Sequence, residues 1–143
     1  MLLGTYFYSV DEKGRIRIPQ KLKSKLGDNF VVTKGSNGCL FVFSQEELKT
    51  SIYDKLKELP LTAIQAQKPL RMIMSSAFEV QEDSAGRFML PTLLRDFAKI
   101  EKNIVIIGVG SRCEIWSEEE WNKYNQNDAD FDESFAQLSE FNI

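Results

Sequence analysis

Lys13, Arg15 and Arg17 stand two residues apart in the stretch Asp11-Glu12-Lys13-Gly14-Arg15-Ile16-Arg17-Ile18-Pro19. On an extended strand a spacing of two puts side chains on one face. A row of ammonium and guanidinium groups can hold phosphate, and a guanidinium can grip guanine O6 and N7 with two bonds. The chemistry these residues offer is therefore recognition of a polyanion, not bond making.

Other chemistries find little material. The chain has no His, which removes Ser-His-Asp and Cys-His catalysis and any His general base. Cys39 and Cys113 are the only cysteines, each flanked by strand-like residues, and they read as two buried free thiols. A metal site needs more ligands than these two supply. No clustered carboxylates and no phosphate-cradling loop appear. We expect no catalytic residues, no metal and no cofactor, and hence no enzyme.

The elements that position the cations can be read from the same stretch. Gly14 stands where a tight turn needs positive φ, and Asp11 can bond the backbone across that turn. Ile16 and Ile18 alternate with the arginines and supply the buried face of a strand. Pro19 closes the strand and suits the start of a helix. Seventy-two residues later the pattern returns as Asp83-Ser84-Ala85-Gly86-Arg87-Phe88-Met89-Leu90-Pro91. Asp, Gly, Arg and Pro recur in register, and apolar residues match at Ile16/Phe88 and Ile18/Leu90. The chain is an internal duplication.

Each copy follows one plan. Tyr6–Val10 and Arg15–Ile18 are predicted strands that pair through the Asp11–Gly14 turn. Pro19–Leu26 is a short helix with Leu22 and Leu26 on one side, ended by Gly27. Residues 30–33 and 39–43 are two more strands, and Ser44-Gln45-Glu46-Glu47 is a capping box that starts a helix. In the second copy Phe78–Glu82 pairs with Arg87–Leu90, residues 91–100 form the helix, residues 104–107 and 113–116 the strands, and Ser117-Glu118-Glu119-Glu120 the capping box. Between the copies, Pro69–Ser76 reads as a short helix. The expected class is mainly β with short helices (α+β), built from two β-β-α-β-β-α repeats. A unit of this size buries little alone. Two of them are expected to exchange hairpins and complete a shared, pseudo-symmetric barrel.

The expected organisation is a first, DNA-reading repeat at 5–51, a helical connector at 52–76, a second repeat at 77–121, and an acidic, flexible tail at 125–143. The whole chain has 143 residues and a net charge of −3, but the charge is uneven. Residues 117–143 hold eight acids and one base, which leaves seventeen bases and thirteen acids in the preceding 116 residues. The basic excess is centred on the first copy of the motif. In the tail, Phe131, Phe135 and Leu138 fall at helical spacing, which leaves a short docking helix as the other reading. No run of 18 apolar residues occurs, so no membrane span is expected. The N-terminus lacks the features of a signal peptide, so the chain is expected to stay in the cytoplasm.

With Asp11-Glu12-Lys13-Gly14-Arg15 and Ile18-Pro19, their second copies, Gly4-Thr5-Tyr6, Gly108, Glu114-Ile115-Trp116-Ser117 and Trp121, the chain resembles the MraZ family within the AbrB-like swapped-hairpin proteins. The resemblance covers roughly residues 1–124. It implies a sequence-specific, DNA-binding transcriptional regulator at the promoter of its own division and cell-wall gene cluster. It further implies a ring-shaped homo-oligomer that reads tandem direct repeats of double-stranded DNA, associated with the nucleoid, with no small-molecule substrate. Carried over to this chain, the DNA-contacting residues are Lys13 and Arg15, with Arg17 next on the strand. Tyr8 stands where the family often has His, and Leu48 where it often has Trp.

The residues themselves add an asymmetry. The counterparts of Lys13, Arg15 and Arg17 are Ala85, Arg87 and Met89, so the second repeat keeps the turn and loses two of three charges. Asp11, Gly14, Asp83, Gly86 and Arg87 are accordingly assigned to the turns and the fold, and a salt bridge from Arg15 to Asp11 or Asp83 is the structural alternative for that residue. Two other functions compete: an AbrB-like antitoxin using the tail to wrap a toxin, and an oligomeric scaffold that binds no DNA.

Overall fold

A computed structural model describes residues 1–126 and 130–143. Residues 127–129 of the expected tail lie outside the described residues. Two sheets enclose one core. The larger has six strands: β1 (Leu2–Ser9), β3 (Val31–Lys34), β4 (Leu40–Phe43), β5 (Phe78–Glu79), β7 (Asn103–Gly110) and β8 (Cys113–Ser117). They lie in the order β1-β7-β8-β4-β3-β5. The smaller is a two-stranded ribbon of β2 (Arg15–Arg17) and β6 (Arg87–Met89).

The sheet order is the duplication made visible. Exchanging each strand for its repeat counterpart, β1 for β5, β3 for β7 and β4 for β8, returns the same order reversed. Phe41 pairs with Glu114, its own counterpart, at the middle of the large sheet, and Ile16 pairs with Phe88 at the middle of the ribbon. Both pairs lie on one pseudo-two-fold axis.

The expected barrel is not formed, and the two hairpins expected at the motif turns are not pairing units, whereas β3 with β4 and β7 with β8 do pair. Asp11 bonds Arg15 across the turn, but beyond it the strands part. β1 bonds β7 along its full length, β5 bonds β3, and β2 bonds β6. All three are antiparallel pairings between repeats. As strands, β2 and β6 pair only with each other, so they do not bridge β1 to β5, and the six-stranded sheet ends at those two edges.

The core follows from strand parity. Ile16 and Phe88 face inward beneath the ribbon and meet Phe30, Leu40, Leu94, Ile104 and Ile106 from the sheet and helices. A second cluster, Cys39, Val105, Ile107 and Trp116, lies on the sheet's opposite side. Gly108 fixes one inter-repeat contact. A Cβ at this position would sit 2.4 Å from the backbone of Leu2 and Leu3, so only glycine lets β7 lie against β1 there.

The helices cap the layers. α1 (Gln20–Leu26) begins after Pro19 and buries Leu22 and Leu26; α2 (Gln45–Leu48) begins at Ser44, whose Oγ accepts from the Glu47 amide at 3.1 Å. A π-helical stretch, Lys49–Tyr53, carries α2 on into α3 (Asp54–Leu56). α4 (Ile64–Ser76) starts five residues before the expected Pro69, which it holds inside. Tertiary anchoring outweighs the proline here: the buried Thr33 hydroxyl donates to the Ile73 carbonyl at 2.6 Å and lies 2.9 Å from Ser76 Oγ. α5 (Thr92–Phe97), α6 (Glu118–Tyr124) and α7 (Asp130–Ala136) complete the chain, with a 3-10 turn at Gln137–Phe141. Among the described residues no helix is long and apolar enough to cross a membrane.

Candidate nucleic-acid interface

Each copy of the motif makes the same tight turn. Asp11 Oδ1 accepts from the amides of Lys13 at 2.9 Å and Arg15 at 2.8 Å. Asp83 Oδ1 accepts from Ala85 and Arg87, both at 2.9 Å. Gly14 and Gly86 take φ of 78° and 77°, the left-handed conformation that a β-carbon disfavours. The amide bonds from Arg15 and Arg87 are the largest influence holding the two aspartate carboxyls below their ordinary pKa, with the guanidinium charges adding to it. Both are anions at neutral pH.

Those anions hold the arginines. Arg15 Nε donates to Asp11 Oδ2 at 2.7 Å, and its Nη1 lies 3.6 Å from Asp83 Oδ2. Arg87 Nε approaches the same Asp83 oxygen at 3.3 Å, close enough for an ion pair but without hydrogen-bond alignment. Arg15 thus sits between two aspartates, and Asp83 between two arginines. The salt bridge read as Arg15's structural alternative exists: its closer half, to Asp11, lies within the first repeat, and the longer one, to Asp83, crosses the repeat boundary.

The ribbon's outer face is cationic. Pairing sets Arg17 opposite Arg87 and Arg15 opposite Met89, all on the side away from Ile16 and Phe88. Like charges placed directly across a strand pair repel. Asp83 offsets Arg87, whereas Arg17 is exposed and makes no ion pair among the described residues. Lys13, exposed on the turn, makes none either. Two shallow clefts join the set: one of about 200 Å³ brings Arg15, Arg17 and Arg87 beside Tyr8, and its neighbour brings Lys13 to Arg15 and Arg87. Glu12 lines the second cleft, so the surface is mixed in charge and its free cations are Lys13 and Arg17.

All three expected contact residues therefore meet on one surface. Two residues beside them escaped sequence reasoning as contacts. Arg87 joins the face because β6 lies beside β2, a pairing invisible within one repeat. Tyr8 reaches the cleft from the end of β1. The basic helix α1 divides: Lys23 reaches across to Glu82 at 2.8 Å and Lys25 donates to the Met1 carbonyl at 2.8 Å. The thiols offer no chemistry. Burial pushes both Cys39 and Cys113 up to about 12, far above the range where a thiolate forms.

Comparison with known proteins bears on this surface. The family model described as "MraZ protein, putative antitoxin-like" matches twice, over residues 1–72 and 73–142. The curated "Transcriptional regulator MraZ" of Thermoanaerobacter pseudethanolicus is 48% identical over 144 residues and covers all of both chains. The proteins of that name from Caldanaerobacter subterraneus subsp. tengcongensis and Clostridium beijerinckii are 46% and 44% identical, again over the full length of both chains.

Proposed function

The chain belongs to the MraZ family of transcriptional regulators, and from that membership we propose that it reads double-stranded DNA with the outer face of the β2–β6 ribbon. It is a regulator and not an enzyme. The observation that carries the reading is the composition of that face: Lys13 and Arg17 are exposed and without ion pairs among the described residues, while Arg15 is braced between two aspartates. A two-stranded ribbon fits the major groove. Lys13 and Arg17 hold phosphate, and Arg15, pre-oriented by Asp11 and Asp83, is the base-reading side chain. Phosphate contacts seat the protein and base contacts choose the sequence.

In this reading the repeats divide the labour. The first, 5–51, supplies the free cations. The second, 77–121, supplies the opposite strand and the Asp83–Arg87 pair that orients Arg15, and 52–76 connects them. One ribbon offers few contacts, and the chain as a whole is anionic, so a single copy binds weakly. Several copies arranged head to tail in a ring present identical ribbons in the same sense, which matches tandem direct repeats rather than palindromes. Such repeats, about one helical turn apart, in the promoter of its own division and cell-wall cluster make the protein a cytoplasmic, nucleoid-associated autoregulator.

The test is titration of DNAs carrying one, two and three of the repeats that footprinting finds upstream of the gene. Affinity should rise by roughly 10²-fold or more from one repeat to two, through effective concentration. Insertion of about half a turn between repeats should abolish the gain. Affinity independent of repeat number would exclude a ring that reads repeats.

A further inference from the structure

An apolar groove of about 260 Å³ runs between α4 and the β3–β4 loop, away from the ribbon. Phe41, Pro69, Met72, Ile73 and Phe97 line it, with Lys34 at its edge. Lys34 Nζ stands 5.1 Å from the centre of the Phe97 ring. Lys68 lies one helical turn before Met72 on the same side of α4 and is exposed, as is Arg71. None of these three cations makes an ion pair among the described residues. The groove is greasy at its floor and cationic at its rim.

The C-terminal segment has the reverse character. α7 and the 3-10 turn carry Asp130, Asp132, Glu133 and Glu140 and no base. Phe131 and Phe135 stand one turn apart with ring centres 6.0 Å from each other, and they are 69% and 61% exposed. A short helix in water gains nothing from holding two phenylalanines on one side unless that side is covered. One copy of the chain leaves both the groove and the stripe uncovered.

We propose that the groove of one copy receives α7 of a second copy, with Phe131 and Phe135 entering between Phe41, Met72 and Phe97 and the flanking carboxylates meeting Lys34 and Lys68. The contact joins two different surfaces, so it is heterologous and propagates head to tail. The inference rests on the self-association proposed above and names the surfaces that produce it.

The test is disulfide trapping between full-length chains, one bearing Met72→Cys and the other Phe135→Cys. Both positions are exposed, so both variants fold, and the native thiols stay out of the exchange because burial keeps them protonated. A mixture should give a heterodimer band about tenfold stronger than a control pair of Ser24→Cys and Phe135→Cys, as effective concentration at a specific contact requires. Asp130→Lys/Asp132→Lys/Glu133→Lys in the second chain should cut the band about tenfold. A band no stronger than the control overturns the proposal. So does a Met72→Cys/Phe135→Cys chain that cross-links only within itself. Sedimentation velocity on the same samples separates the causes: oligomers without the cross-link remove this contact alone, and monomers at every concentration remove self-association as well.

Discussion

Arg15 and Arg17 are neighbours on one face of a strand and do different things. Arg15 is held by Asp11 and Asp83, whereas Arg17 makes no ion pair among the described residues. Arg17→Ala should therefore weaken DNA binding by about 1 kcal/mol and flatten the salt dependence by about one unit of slope, with no change in Tm; anisotropy titrations over a salt series and a melting curve check it. Arg15→Ala should lose about 1–3 kcal/mol of binding through a base contact. It should also lower the Tm slightly, because partly solvent-exposed ion pairs to Asp11 and Asp83 are lost. The aspartates give a pH signature. Their carboxyls are depressed in the folded state, so the stability they contribute is present above the unfolded pKa, near 3.8, and is lost as pH falls through the folded value. The Tm gap between wild type and Asp11→Asn/Asp83→Asn should be constant near neutrality and close in acid. That Lys13, Arg15 and Arg17 share one surface is legible because their spacing is local. Arg87 was assigned to the fold from its sequence neighbours, Ala85 and Met89. Its neighbour across the ribbon is Arg17, and that proximity exists only once β6 lies beside β2.

The ribbon is an element made from both repeats, and its hold on the core is one pair, Ile16 and Phe88. Phe88 is almost fully buried, with its ring edge-on to Phe30 at 5.8 Å between centres. Phe88→Ala should cost about 3–5 kcal/mol in urea unfolding and also weaken DNA binding, because a ribbon that no longer docks cannot hold Arg15 and Arg17 on one face. Full affinity in a destabilised Phe88→Ala protein would detach the ribbon's docking from its function. At Gly108, where a Cβ meets the β1 backbone, Gly108→Ala should cost about 1–3 kcal/mol of stability. The sequence announces most element boundaries, since turns, caps and alternation are local signals: Ser44 and Ser117 cap their helices, and Pro19 and Pro91 precede theirs. Pairing is local for β3 with β4 and for β7 with β8, but not for β1, β2, β5 and β6. The turn at Asp11–Gly14 reads as a hairpin, and nothing within one repeat tells that β1 bonds β7 and β2 bonds β6. The barrel expectation failed for the same reason, because closure depends on which strands spend their bonds on which partners.

At the scale of the molecule, the pseudo-two-fold axis through Ile16/Phe88 and Phe41/Glu114 makes one chain the equivalent of a symmetric dimer of half-domains. Divergence between the halves then breaks the symmetry where function requires it. Where the first repeat has Lys13 and Arg17 the second has Ala85 and Met89, so the cations without ion pairs among the described residues of the ribbon and its turns lie on one side, which gives the ribbon a direction. A directional ribbon suits head-to-tail assembly on direct repeats, as a symmetric one would suit a palindrome. The central claim is that this ribbon is what touches DNA. The measurement that tests it most directly is anisotropy titration of the full chain and of Lys13→Ala/Arg17→Ala on the DNA upstream of its own gene, across a salt series. The double variant should keep its Tm, bind about tenfold or more weakly, and show a salt slope shallower by about two for each ribbon engaged. Equal affinity and equal slope in a folded double variant would contradict the claim.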